Sequence, residues 1–237
     1  MVKKKLSLLA LIIIALSVFL FGLVQTQINK YSGNGSYLWE PEIIELEANT
    51  ARLNDHTNRV LFIGSSSIRF WSTLTQDMYP FTVIQHGFGG AKVNDVIYFS
   101  DRLINAYDPR AVVIFVGTND ISLREVTSAE AMLAAYQQLI NNIRQDLSTT
   151  PIIFIAITPS PQRWKLWAFA SQANQLLTEY VNTQDNIFIV DTSSELLGDD
   201  GEPDGSFYKF DGLHLNSKGY AVWTQIVKAE LLRRLQP

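Results

Sequence analysis

Five short apolar runs, each ending in a polar turn, constrain this chain more than anything else in its 237 residues. They are VLFI (60–63), FTVIQ (81–85), AVVIFV (111–116), PIIFIAI (151–157) and NIFIVD (186–191). Most are continuously apolar and rich in β-branched side chains. A strand with one wet face alternates polar and apolar residues, so runs without alternation predict strands covered on both faces. Helical patterns lie between and around them. WEPEIIELEAN carries Pro41 near the first turn, where a missing N–H costs nothing. Thr127-Ser128-Ala129-Glu130 has the form of a capping box, with Thr127 and Glu130 each satisfying a free backbone donor. Met132, Leu133, Tyr136, Leu139, Ile140 and Ile143 follow as one apolar stripe. A second helix is expected over about 165–182, and a last one after Asn216 or Ser217 with Tyr220, Trp223, Ile226, Val227 and Leu231 inward. Strands alternating with helices imply an α/β domain with a parallel sheet. All strand C-termini then share one edge, where such sheets bind ligands.

Composition narrows the class. Hydrophobic residues make up 47% and charged residues 18%, a globular balance. The net charge of -4 leaves no basic footprint, so nucleic acid is not an expected partner. There is no cysteine, which excludes disulfides, thiolate metal sites and a cysteine nucleophile. Lys3, Lys4 and Lys5 precede an uncharged apolar stretch from Leu6 to Val24, close to the roughly 20 residues that span a bilayer. Residues 1–24 are expected to be a signal anchor with the lysines cytoplasmic and the rest exported, a cleaved signal being the alternative. The polar stretch 25–37 reads as a linker. The catalytic domain is then 38–237.

The strand ends carry the chemistry. Gly64-Ser65-Ser66-Ser67 follows the first strand, HGFGGAK the second, GTNDIS the third and TPSPQRW the fourth. The fifth leads through an acidic loop to FDGLHLNSKGY. Alone, each is an ordinary cap or turn. Together they hold what acyl transfer needs. A serine hydroxyl is a weak nucleophile until a base takes its proton. His214 suits that task, and Asp211, three residues earlier, can fix its tautomer. The tetrahedral oxyanion needs donors, which the Gly90 N–H, the Asn119 amide and the Ser66 N–H can offer.

FIGSSSIRFW, GFGGAK, VGTNDI and DGLHLN resemble the four sequence blocks of the SGNH (GDSL-like) hydrolases, over roughly residues 38–235. The resemblance implies a three-layer α/β/α flavodoxin-like fold with strand order 2-1-3-4-5, behind the N-terminal membrane helix. It also implies ester hydrolysis through a serine acyl-enzyme. Residue by residue, it places the nucleophile on Ser66, the oxyanion glycine and asparagine on Gly90 and Asn119, and the acid–base pair on Asp211 and His214. Two positions depart from the common pattern: Ser65 stands where an aspartate is usual, and Gln85 where an asparagine often stands.

Other residues carry lesser expectations. His86 reads as a half-buried strand-end histidine and His56 as surface. Trp71 belongs in the core, and Arg69 can pair with a carboxylate near the site. Arg163, Trp164 and Trp167 are placed to wall the substrate cleft. The carboxylates of 196–206 match no standard cation loop. The chain is therefore expected to be a metal- and cofactor-free carboxylic ester hydrolase acting outside the membrane on a small-molecule, glycan or lipid ester. Acyl transfer to a glycan hydroxyl and non-catalytic surface binding are the alternatives on the same fold.

Overall fold

The computed structural model describes residues 12–22, 35–53, 58–122 and 126–235. Five parallel strands form one sheet: β1 (Val60–Gly64), β2 (Val83–Gly87), β3 (Ala111–Phe115), β4 (Ile152–Ile155) and β5 (Ile187–Val190). Their order is β2-β1-β3-β4-β5, as expected. The β1 register pairs Gly64 with Gly87 on one side and with Phe115 on the other, so three strands end level.

Ten α-helices accompany the sheet among the described residues: α1 (12–22), α2 (Glu40–Ala51), α3 (Ser66–Arg69), α4 (Leu74–Asp77), α5 (Val93–Tyr98), α6 (Ser100–Leu103), α7 (Thr118–Ser122), α8 (Ala129–Arg144), α9 (Trp167–Val181) and α10 (Ser217–Arg234). Successive strand residues point to opposite faces. Leu61, Ile63, Val112 and Ile114 accordingly pack under α2, α5, α6, α8 and α9. Val60, Phe62, Val113 and Phe115 pack under α3, α4 and α10. Those are the three layers, with a separate core on each side of the sheet.

Some boundaries differ from the sequence reading. β2 begins at Val83, because the Phe81 N–H is taken by the Met78 carbonyl in a turn. The cap of α8 is Ser128, not Thr127: its Oγ accepts the Ala131 N–H at 3.1 Å and the helix starts one residue later than expected. Asn216 caps α10, accepting from Lys218 and Gly219. Packed structure starts within the expected linker, where a 3-10 turn at Ser36–Trp39 precedes α2 and Ser36 Oγ donates to Asp95. The rest of that linker, 25–34, lies outside the described residues.

The expected membrane helix over Leu6 to Val24 is described only at 12–22. Its apolar side chains, such as Val18 and Phe21, are exposed. Among the described residues no helix is long and apolar enough to cross a membrane.

Candidate active site

β1 ends in a turn that only glycine can make. Gly64 has φ +147, and a Cβ there would lie 1.9 Å from the Phe115 carbonyl oxygen. The chain then enters α3 with Ser66 as its first residue. The Ser65 N–H donates to Phe115 O at 3.0 Å, and Ser65 is buried. Ser65 is thus a fixed part of the turn, and Ser66 is half-buried at its mouth.

α3 is held from behind by α10. Trp71, fully buried, stacks on Tyr220 at 5.3 Å and meets Trp223 edge-on at 5.7 Å. Tyr220 Oη donates to the Ser67 carbonyl at 2.8 Å. The stack matters because His214 and Asp211 lie in the loop that feeds α10.

That loop brings the expected acid–base pair to Ser66. His214 Nε2 is 2.9 Å from Ser66 Oγ, and His214 Nδ1 is 2.7 Å from Asp211 Oδ2. The three-residue spacing has a local cause. Asp211 Oδ1 accepts the backbone N–H groups of Leu213 and His214, both at 2.9 Å, which curls the loop until the other oxygen meets the ring. Desolvation alone would raise the Asp211 pKa. Hydrogen bonds from the His214 side chain and from the His214 and Leu213 backbone outweigh it and bring the carboxylate to about 2. An ionised Asp211 fixes the proton on Nδ1 and leaves Nε2 facing the hydroxyl as acceptor. Phe70 stands edge-on to His214 at 5.0 Å, and Lys209 lies over Phe70. Phe70 is exposed, and Phe210, next to Asp211 in sequence, is fully exposed.

The candidate donors follow β2 and β3. Gly90 turns with φ +82. Neither its N–H nor that of Ser66 has an acceptor among the described residues. Asn119, buried on α7, donates one Nδ2 proton to Ala91 O at 3.0 Å, while its Oδ1 accepts from Arg163 at 3.0 Å. A donor on one side and a carbonyl on the other fix the amide orientation, and the second Nδ2 proton has no partner among the described residues.

Three positioning contacts were not foreseen from sequence. Asp120 accepts the Val93 N–H, so Asn119 and Asp120 grip the 91–93 segment together. Burial, aided by the charge of Asp95, raises the Asp120 carboxyl to about 7. Its place directly after Asn119 was a visible signal. Tyr220 read only as a core residue, and the Arg163–Asn119 bond has no signature in spacing.

The remaining expectations divide. Arg163 does line the cavity at Ser66. Trp167 walls an adjoining apolar cavity with Ile121 and Leu166. Arg69 is exposed and has no ion pair with a described residue; it faces a cleft with Glu42 and Glu45. His86 is fully buried rather than half-buried. Its Nδ1 donates to Leu103 O and its Nε2 accepts from Thr50, both at 2.8 Å, and desolvation lowers its pKa to about 4. His56 lies outside the described residues. In the acidic loop, Asp200 and Asp204 accept the N–H groups of Glu202 and Ser206. Among the described residues no three His, Cys, Asp or Glu side chains gather as a metal site would require.

A family model for the GDSL-like lipase/acylhydrolase family matches residues 50–222. The chain belongs to that family. It is a carboxylic ester hydrolase by that membership. Among curated proteins none matches the sequence. Solved structures do. A chain from Streptococcus pneumonia, described as a candidate platelet activating factor, superposes with TM-score 0.73 at 20% identity, covering 90% of this chain and 99% of its own. A GDSL-like lipase from Bacteroides thetaiotaomicron gives 0.68 at 17% identity, covering 81% and 98%. An acetyl xylan esterase from Geobacillus stearothermophilus gives 0.58 at 16%, covering 75% and 94%. At these identities the likeness is one of fold.

Proposed function

We propose that this GDSL-family hydrolase is a serine esterase for short-acyl esters of a carbohydrate or lipid. The observation that carries the reading is the continuous hydrogen-bonded line from Ser66 Oγ through His214 to Asp211. Ser66 Oγ attacks the ester carbonyl as its proton passes to His214 Nε2. The oxyanion is held by the N–H groups of Ser66 and Gly90 and by Asn119 Nδ2. His214 returns the proton to the departing alcohol, leaving an acyl group on Ser66. Water, activated by the same histidine, then releases the acid. Asp211 holds the imidazole in position and stabilises its charged form.

The cavity beside Ser66 is only about 20 Å³ and is lined largely by serine, threonine and asparagine. That favours an acetyl-sized acyl group over a long chain. The Lys3–Lys5 run and the exposed apolar α1 support an N-terminal anchor, with the domain outside the cytoplasmic membrane. The first test is a fluorophosphonate probe with the full-length chain. Labelling at Ser66, and loss of p-nitrophenyl acetate hydrolysis in Ser66→Ala, are expected. Undiminished turnover in Ser66→Ala refutes the assignment. The p-nitrophenyl ester series should show rates falling as the acyl chain grows.

A further inference from the structure

Arg163 is half-buried in the wall of the Ser66 cavity, and no described carboxylate pairs with it. Burial alone moves its pKa, and in the downward direction; no neighbouring charge contributes. A guanidinium has five N–H donors. The side-chain acceptor assigned to it is Asn119 Oδ1, a neutral oxygen that takes one. The backbone holds the cation there: the Arg163 N–H is bound to Ser160 O and the preceding Gln162 N–H to Gly212 O, which ties it to the His214 loop.

A charge held partly out of water is normally matched by an opposite charge. A neutral sugar hydroxyl would leave the cation unmatched. A planar or tetrahedral oxoanion matches it, and the guanidinium fork suits it. We propose that Arg163 is a receptor for a carboxylate or phosphate carried by the ester close to its scissile bond. This rests on the serine-esterase reading and narrows its substrates to anionic esters.

Arg163 also touches Asn119, so a defect in its variants could come from a displaced oxyanion donor. Paired esters separate the two. Para-acetoxybenzoate and its methyl ester differ by one charge on the alcohol side. Mono(p-nitrophenyl) adipate and p-nitrophenyl hexanoate differ by one charge on the acyl side. Parent, Arg163→Gln and Arg163→Lys are compared by kcat/KM on all four, using the full-length chain. The parent should favour the charged member of one pair by about tenfold or more, and that pair identifies the half bearing the charge. Arg163→Gln should bring the preference to within about twofold, and Arg163→Lys should keep part of it. Inorganic phosphate should compete with substrate in the parent and much less in Arg163→Gln. A displaced Asn119 would lower charged and neutral rates by the same factor. No preference in either parental pair, or a preference that survives Arg163→Gln, overturns the receptor. A parent that hydrolyses none of the four and resists the fluorophosphonate fails one step earlier, at the esterase reading.

Discussion

The two halves of the site are built in opposite ways. The nucleophile half, from Gly64 to Trp71, is set into the sheet edge: Ser65, Ile68 and Trp71 are buried, and Gly64 is locked against Phe115. The acid–base half, from Lys209 to His214, lies on the surface, with Lys209, Phe210 and Asp211 exposed. It is shaped by its own hydrogen bonds, the Asp211 contacts and the Lys209 N–H to His214 O bond at 2.7 Å. The first half is rigid because the core is rigid. The second is ordered by a few local contacts. Ser66 itself apart, changes in the first should therefore cost folding, and changes in the second should cost turnover.

The sharpest test is Asp211→Asn. An amide keeps the shape but no longer holds the proton on Nδ1. kcat should fall by roughly 10³–10⁴-fold, while the thermal midpoint stays within about 3 °C of the parent. A large loss of stability would break the contrast. Gly64→Ala tests the other half. Its Cβ collides with backbone, and φ +147 is hostile to alanine. A loss of about 3 kcal/mol or more is expected from urea unfolding, with activity lost only as folded protein is lost.

Asp120 sharpens the comparison through pH. It is buried beneath Asn119, and its carboxyl is raised to about 7 by burial first and by Asp95 second. The folded state then keeps a proton that the unfolded chain releases near pH 3.8. The stability this adds is complete below that pH and is lost as pH rises through 7. The parent-minus-Asp120→Asn difference in unfolding free energy should decline over that window by at most ~1.4 kcal/mol per pH unit. It should be flat above it. A rising difference would refute the assignment. The smallest effect is expected from Tyr220→Phe, which removes one hydrogen bond to Ser67 O. About 1 kcal/mol of stability should go. A severalfold drop in kcat with KM unchanged would show that the bond also aligns Ser66 with His214.

The same contrast explains what could be read from the sequence. Buried strands need unbroken apolar runs, so the sheet and its edge were plain in Val60–Ile63 and Ala111–Val116. Residues that meet within one loop also left a trace, because Asp211 and His214 are close in both sequence and space. Groups that meet only after packing left none. Nothing in the spacing links Arg163 to Asn119, or Tyr220 to Ser67, since those pairs are made by the crossing of distant elements. The shift of β2 to Val83 has a similar origin. Phe81 looks like strand material, but a turn hydrogen bond claims its backbone.

The Trp71–Tyr220–Trp223 stack carries a consequence for how activity is acquired. Ser66 and His214 lie 148 residues apart in sequence, and their alignment depends on the last long helix settling against the turn made by the first strand. A chain still being synthesised has the proposed nucleophile early and the proposed base almost last. On that reading the serine stays inert through most of synthesis, and hydrolysis begins only once α10 has docked.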